Sequence, residues 1–216
     1  MRGLIVKDFC FVIQRGSLLF LYLLVAVIFS FTMDSTFTMS YLSMMGGFLA
    51  IGTLSYDAAD NGYPFLMTLP ITAKTYALEK HFFVGMVQGC FWIFAVVLQA
   101  LLALVQQDMQ RFLEELPVYA NVLLVFFILI TVLIPIELKF GVEKSGIVLS
   151  VLTGFIILAF FLVAKVIIPL MTRLNGLDLD LSMLSKTILA ALLLLAAVIL
   201  AVCVACSIHI MEHKEY

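Results

Sequence analysis

Six long stretches without a charged side chain occupy most of this 216-residue chain. Each contains 18 or more consecutive residues other than Asp, Glu, Lys or Arg. A helix rises about 1.5 Å per residue, so roughly 20 residues match the hydrocarbon core of a bilayer. Because lipid offers the backbone no hydrogen bonds, such stretches cross as helices. We therefore predict an all-α membrane protein, one domain over 1–216, with transmembrane helices at 16–33, 36–56, 82–106, 117–136, 146–169 and 187–208.

The composition agrees with this class and excludes others. Hydrophobic residues form 64% of the chain and charged residues 12%, whereas soluble domains average roughly 45–50% and about 25%. The net charge is −2 and the sequence has no basic patch, which argues against a nucleic-acid partner. The expected surroundings of the chain are therefore the lipid bilayer.

The distribution of Lys and Arg predicts the orientation, because cytoplasmic loops carry an excess of these residues. In the six-helix topology eight lie on one side and three on the other, with Lys165 set apart inside a helix. The basic side carries Arg2, Lys7, Arg15, Lys74, Lys80, Lys139, Lys144 and Lys214, and the other side Arg111, Arg173 and Lys186. We expect the basic side, and with it both chain termini, to be cytoplasmic.

Residues 1–15 have the pattern of an amphipathic helix. Leu4, Ile5, Phe9, Val12 and Ile13 share one face, and Lys7, Asp8, Gln14 and Arg15 share the other. Such a segment is typical of a helix that lies in the membrane interface, with its basic side chains near anionic headgroups. The alternative is a disordered leader.

Small residues at four-residue spacing indicate where helices pack, because close backbone approach is a main source of helix association in lipid. The repeats are Gly85 and Gly89; Gly146, Ser150 and Gly154; and Ala197, Ala201 and Ala205.

The segment 57–80 between the second and third predicted helices is the most distinctive part of the sequence. Gly62 and Pro64 break the preceding helix, a short apolar patch follows, and Thr72 can cap the next helix after Pro70. The segment thus predicts a short helix at the cytoplasmic face. Its apolar patch either docks in a partner's groove or dips into the inner leaflet.

Two parts of the sequence resemble one family of transporters. Thr68-Leu69-Pro70-Ile71-Thr72, followed by Tyr76 and Lys80, resembles the stretch between helices two and three of ABC-2 type permeases. The opening Met1-Arg2-Gly3-Leu4, with Lys7-Asp8-Phe9, is similar to their N-terminal interfacial helix. The likeness spans nearly the whole chain. It is greatest to permeases of exporters of amphipathic peptides, including phenol-soluble modulins, and to those that confer resistance to bacitracin or lantibiotics.

The resemblance implies a site and its partner. In that family the segment between helices two and three is a coupling helix that seats in a cleft of a separate cytoplasmic ATPase. The coupling residues would be Phe65, Leu66, Met67, Thr68, Leu69, Pro70, Ile71 and Thr72, with Phe65 to Leu69 seated in the cleft. The loop with Glu137, Lys139, Glu143 and Lys144 would be a minor contact.

The resemblance also implies an assembly in a bacterial cytoplasmic membrane. Two permease copies, a homodimer in preference to a heterodimer, would bind two ATPase subunits. The cargo would be a peptide or a lipid-like molecule, and ATP with Mg²⁺ would bind to the partner chain.

We expect no cofactor, metal or catalytic residue in this chain. The nearest string to a P-loop, residues 141–146, lacks the spacing and the Gly before Lys that the motif needs. His209, Glu212 and His213 match a zinc-peptidase pattern. Together with Cys203 and Cys206 they would span about 15 Å of one helix, whereas ligands meet about 2.0–2.3 Å from one ion.

Three polar side chains inside predicted helices are candidates for a transport pathway: Lys165, Gln88 and Gln99. An intramembrane charge is a functional hypothesis by default. Lys165 lies near the outer end of its helix, where its ammonium can instead extend to the interface. Apart from a transporter, the sequence leaves open a non-transporting membrane scaffold or a membrane metalloenzyme.

Overall fold

The computed structural model describes residues 2–59, 62–68, 71–174 and 181–213, and in these ranges all side chains except 2, 67, 142–189, 191 and 192. Within them the chain is helical and has no strand, which confirms the all-α class. The helices are α1 (Arg2–Gln14), α2 (Gly16–Thr32), α3 (Ser35–Ala58), α4 (Gly62–Thr68), α5 (Ala73–Gln106), α6 (Met109–Leu174) and α7 (Leu181–Glu212).

Several of these helices can cross a membrane. Among the described residues, four stretches are long and apolar enough: Ser35–Ala58, Ala73–Gln106, Met109–Gly141 and Leu193–Glu212. Gly3–Gln14 and Gly16–Thr32, which meet at an angle of 67°, would be a fifth if they form one broken span. The protein is therefore a multi-pass membrane protein, and the six-helix count and the orientation of the termini stay predictions.

Helix α3 lies at the centre of the packing, against α2, α5 and α6. Two adjacent glycines make this possible. A Cβ at Gly46 would lie 2.8 Å from the Phe91 ring of α5, and one at Gly47 would lie 2.6 Å from the Ile130 side chain of α6. Without side chains, these positions let two large apolar groups close on α3 from both sides.

Gly85 and Gly89, the glycine pair that the four-residue spacing indicated, contribute less to helix packing than Gly46 and Gly47. A Cβ at Gly85 would lie 3.2 Å from the Phe127 ring, whereas a Cβ at Gly89 would meet none of the described atoms within 4 Å. Among the described residues, Gly89 is therefore not a close helix contact.

The predicted loop at residues 137–144 is reduced to a kink. Two helical parts of α6 meet there at Gly141, whose φ of 72° and ψ of 174° are non-helical and are readily adopted by glycine. Glu137 is buried rather than presented on a loop, and its carboxylate accepts a hydrogen bond of 2.5 Å from Ser55 of α3. A minor contact with an ATPase through Glu137 would therefore need this bond to break.

The helices define two ends of the molecule. At the α4 end lie α1, the end of α3, α4 and the start of α5. At the opposite end, which we call the distal end, the α2–α3 and α5–α6 connections come together, and Ser35 donates a hydrogen bond of 2.7 Å to Glu115.

The close packing at Gly47 predicts a difference between two glycine variants. Gly47→Ala forces the Ile130 side chain to move, and overpacking of this kind costs about 1–3 kcal/mol. Gly89→Ala adds a methyl group in open space and serves as the matched control. We expect G47A to lower the thermal unfolding temperature in detergent and G89A to leave it unchanged or raise it slightly. Equal unfolding temperatures would contradict the packing of α3 on α6.

A candidate coupling site at the α4 end

Helix α4 is a single short element between two long helices. It begins at Gly62, where a Cβ would lie only 2.5 Å from the backbone oxygen of Asp57. A glycine is therefore needed for the chain to fold back beside the end of α3. Pro64 lies in the first turn of α4, where the missing N–H has no helical partner to lose.

The side chains of α4 divide into an inner and an outer face. Tyr63 and Leu66, three residues apart, are each 7% exposed and belong to the core of the molecule. Phe65 is 69% exposed, and Pro64 and Thr68 also face outward. An apolar ring thus projects from a helix that is held to the protein by its opposite face.

The structure therefore separates the predicted coupling residues. Phe65 and Thr68 are available to a partner, whereas Leu66 is held inside in this conformation. Ile71 packs partly buried against the core. Thr72 is exposed and caps α5 as predicted, because its hydroxyl accepts a hydrogen bond of 3.2 Å from the Thr75 amide. The side chain of Met67, and Leu69 and Pro70, lie outside the described residues.

Directly behind α4 lies a set of four charged side chains that we call the charge cluster: Lys7, Asp8, Asp57 and Lys80. Lys80 Nζ lies 2.5 Å from Asp8 Oδ2 and 2.7 Å from Asp57 Oδ2. Lys7 Nζ lies 3.1 Å from Asp8 Oδ1 and also contacts Asp57 Oδ1. Two ammonium groups and two carboxylates alternate, so the cluster is neutral and joins α1 to α3 and α5.

Because the charge cluster is largely buried, its charged groups must be closely paired. Lys80 is 0% exposed, Asp8 1% and Asp57 4%. Removing two charges from water is costly, and their attraction offsets that cost only with close geometry and further hydrogen bonds. Lys80 supplies one more, a hydrogen bond of 3.2 Å to the Thr53 hydroxyl.

Lys7 is the member of the charge cluster nearest to solvent. Its partial burial would by itself lower the pKa of Lys7. The hydrogen bond and the charge of Asp57, together with Asp8, outweigh that effect and hold the pKa above its ordinary value. Lys7 is therefore charged under physiological conditions, as the neutral pairing requires.

A tyrosine pair connects the charge cluster to α4. The Tyr76 hydroxyl donates a hydrogen bond of 2.9 Å to Asp57. The ring of Tyr63 from α4 meets the Tyr76 ring edge to face, with centroids 6.0 Å apart, a favoured aromatic geometry. Contacts thus run from α4 through Tyr63 and Tyr76 to the charged groups of three other helices.

The burial of Asp8 was not expected from the sequence, which placed it with Lys7 on the polar face of an interfacial helix. In the structure α1 buries Leu4, Asp8, Phe11 and Val12, whereas Phe9 and Ile13 are 47% and 62% exposed. The face that packs inward is therefore the one with Asp8, because Lys80 is there to pair with it. The available signal was Lys80 itself, a charge just before a long apolar helix.

One further carboxyl group lies near the charge cluster without a partner. Glu79 is 1% exposed, and neither of its side-chain oxygens has a hydrogen-bond partner among the described residues. It is the residue before Lys80 on α5, and no pattern in the sequence indicated a role for it.

Two of the three candidate pathway residues, Gln88 and Gln99, have described side chains, and both lie on α5. Gln88 is fully buried on α5, and neither atom of its amide has a described partner. Gln99 is 8% exposed and lies further along the same helix, towards the distal end. Lys165 lies in α6, but its side chain is outside the described residues. A pathway through these residues stays a prediction.

The histidines near the C-terminus form a local pair. The rings of His209 and His213 lie 4.2 Å apart, and Nδ1 of His213 contacts the backbone oxygen of His209 at 3.0 Å. Among the described residues, no group of three or more His, Cys, Asp or Glu side chains is placed to hold one metal ion. The described geometry thus gives no support to the metalloenzyme hypothesis.

Together these features define a class: a multi-pass helical membrane protein with a short helix anchored at one end of its bundle. A family model described as "ABC-2 family transporter protein" matches residues 3–212. The chain belongs to this family, and it is a membrane permease subunit of an ABC transporter. No curated protein and no solved structure shows significant similarity to it.

The charge cluster predicts that Lys80 is critical for folding. Lys80→Met leaves Asp8 and Asp57 with one shared cation in the interior, and breaking a buried pair in this way costs about 3–5 kcal/mol. We expect K80M to lower both the thermal unfolding temperature in detergent and the amount of protein in membranes. Lys74→Met, at an exposed position on the same helix, is the matched control. An unfolding temperature of K80M equal to that of K74M would contradict the role of the cluster.

Proposed function

We propose that this chain is the membrane-spanning subunit of an ATP-driven exporter of amphipathic or hydrophobic peptides in a bacterial cytoplasmic membrane. A separate ATPase subunit supplies the energy through α4 and the segment 57–80. Two copies of the permease, preferably identical, pair with two ATPase subunits, and Mg²⁺-ATP binds to those partners. ABC-2 family membership supports an ATPase partner in general.

The observation that carries this proposal is the presentation of Phe65. Its ring is 69% exposed, while Tyr63 and Leu66 hold the same helix to the core. A buried aromatic anchor surrounded by weaker contacts is the usual centre of a protein interface. Phe65 has the chemistry and the exposure of such an anchor for a cleft on the ATPase.

The contacts behind α4 support transmission of motion. A displacement of Phe65 moves Tyr63 on the same helix, and Tyr63 contacts Tyr76. Tyr76 is hydrogen-bonded to Asp57, which pairs with Lys7 of α1 and Lys80 of α5. Packed helices joined in this way move as a rigid body and do not deform continuously. Nucleotide binding changes the state of the permease only if the ATPase dimer binds one arrangement of the two α4 helices better than the other.

The nature of the cargo is supported by composition and resemblance. The chain has 64% hydrophobic residues and a mean hydropathy of +1.20. A pathway between such helices suits an apolar or amphipathic molecule better than a sugar or an ion. The resemblance of Thr68-Leu69-Pro70-Ile71-Thr72 to permeases that export amphipathic peptides favours the same class of cargo.

Introducing a negative charge at the exposed Phe65 tests the coupling. Phe65→Glu should weaken binding of the partner ATPase at least roughly tenfold, about 1.4 kcal/mol, and abolish the coupling of hydrolysis to cargo. The unfolding temperature should not change, because Phe65 makes little contact inside the protein. Binding is measured by titration with the partner ATPase, and hydrolysis by phosphate release.

Two further variants make this test specific. Leu113→Glu places the same charge at a 57% exposed leucine at the distal end and should leave ATPase binding unchanged. Leu66→Glu buries a charge and should lower the unfolding temperature itself. If F65E and L113E bind and stimulate the ATPase equally, the scaffold hypothesis is favoured over the transporter.

A further inference from the structure

A polar cavity lies at the distal end, far from α4. It forms where the α2–α3 connection meets the α5–α6 connection, and it holds about 720 Å³ of space, including the part open to solvent. Its lining contains Asp34, Gln99, Asp108, Arg111, Glu115 and Tyr119. The cavity volume that compares with ligand sites is about 220 Å³, which is below their usual range of about 300–1,000 Å³ and suits a short segment of a larger ligand.

The charged groups of this cavity are unevenly paired. Glu115 accepts hydrogen bonds from Arg111 at 2.9 Å, Ser35 at 2.7 Å and Tyr119 at 2.6 Å. Asp34 and Asp108 line the same cavity, and neither has an ion-pair or side-chain hydrogen-bond partner among the described residues. Arg111 neutralises the charge of Glu115. Asp34 and Asp108 therefore give the cavity a negative charge that favours a cation.

A buried amide gives an independent indication of a ligand. Gln99 lines the cavity and is 8% exposed, and its side-chain nitrogen has no hydrogen-bond partner among the described residues. A buried donor that is left without an acceptor destabilises the protein. A ligand that offers a carbonyl oxygen at this point would remove that destabilisation.

The third component of the cavity is apolar. Phe31 and Met33 contribute to its lining and are 71% and 54% exposed. A second cavity adjoins the first, shares Asp34, Ser35, Arg111 and Glu115, and extends along α3 to Ser40. The two together form a groove whose lining contains both apolar side chains and carboxylates.

We propose that this groove binds a cationic segment of an amphipathic peptide. A lysine or amino-terminal ammonium group lies between Asp34 and Asp108, and Gln99 donates a hydrogen bond to a backbone carbonyl of the peptide. Apolar side chains of the same peptide lie on Phe31 and Met33. A divalent metal ion is disfavoured, because no three ligating side chains are suitably placed among the described residues. That the bound peptide is the exported cargo rests on the proposed function.

A direct binding measurement tests the groove. The probe is a fluorescent, N-acetylated amphipathic peptide of Leu, Ala and Lys, and its control is the same peptide with every Lys replaced by Gln. The protein is the permease–ATPase complex in phosphatidylcholine nanodiscs, which carry no net charge to attract the probe. Fluorescence anisotropy gives the Kd of each peptide.

Isosteric variants isolate the charge. Asp34→Asn and Asp108→Asn, combined, remove both carboxylates and keep residues that cap helices well. We expect this double variant to weaken binding of the Lys peptide roughly tenfold and to leave the weak binding of the Gln peptide unchanged. Gln99→Leu should weaken both peptides by a smaller factor. Glu114→Gln, at an exposed carboxylate outside the groove, should change neither.

The failure of this proposal and that of the export function can be told apart. Equal Kd values of the Lys peptide for the wild type and the double variant would overturn the groove. ATP-dependent uptake of the same peptide into inside-out vesicles tests export separately. Lost binding in the double variant, with no uptake by the wild type, would keep the groove and reject peptide export. Uptake by the double variant at the wild-type rate would keep export and reject the groove as a site for the exported peptide.

Discussion

Four charged side chains, three of them buried, lie at one end of an apolar helical protein and constrain the helices around them. Lys80 reaches Asp8 and Asp57 at 2.5 and 2.7 Å with no exposure to solvent. None of the three can leave the cluster without stranding another charge in the interior. The N-terminal helix is therefore tied to α3 and α5 by charge as well as by its buried apolar side chains. Helix α4 is connected to this cluster through the contact between Tyr63 and Tyr76.

This arrangement gives the two ends of the molecule different properties. The α4 end is fixed by charges in close contact, and it presents one exposed aromatic ring. The distal end contains an open polar cavity with two carboxylates that have no ion-pair partner among the described residues. Between them, α3 is held by large apolar side chains that close on Gly46 and Gly47. In the mechanism that we propose, α3 would carry a displacement of the α4 end to the cavity at the distal end.

Hydropathy alone was sufficient to predict the class of fold, because apolar stretches of this length in so weakly charged a chain are stable only as membrane helices. The turn chemistry of Gly62, Pro64 and Thr72 also predicted a short helix between α3 and α5. Lys80, a charge beside a long apolar stretch, indicates a need for a partner. Its pairing with Asp8 could not be predicted, because the two are separated by 72 residues and periodicity gives no information on such pairs. The same limit applies to Glu137, whose partner Ser55 lies on another helix. Spacing also favoured Gly89 over Gly47, since a pattern does not show which glycine a neighbouring side chain approaches.

The proposed mechanism requires that Phe65 enter a cleft of a cytoplasmic ATPase while Tyr63, two residues away, stays inside the permease. Site-specific photocrosslinking tests this requirement in cells. Cys10, Cys90, Cys203 and Cys206 are replaced by Ser, and a photoreactive maleimide is attached to Phe65→Cys or, separately, to Tyr63→Cys. We predict a crosslink from position 65 to the ATPase and none from position 63. Labelling of position 65 from outside the cell, or crosslinks from it to lipid alone, would contradict the mechanism.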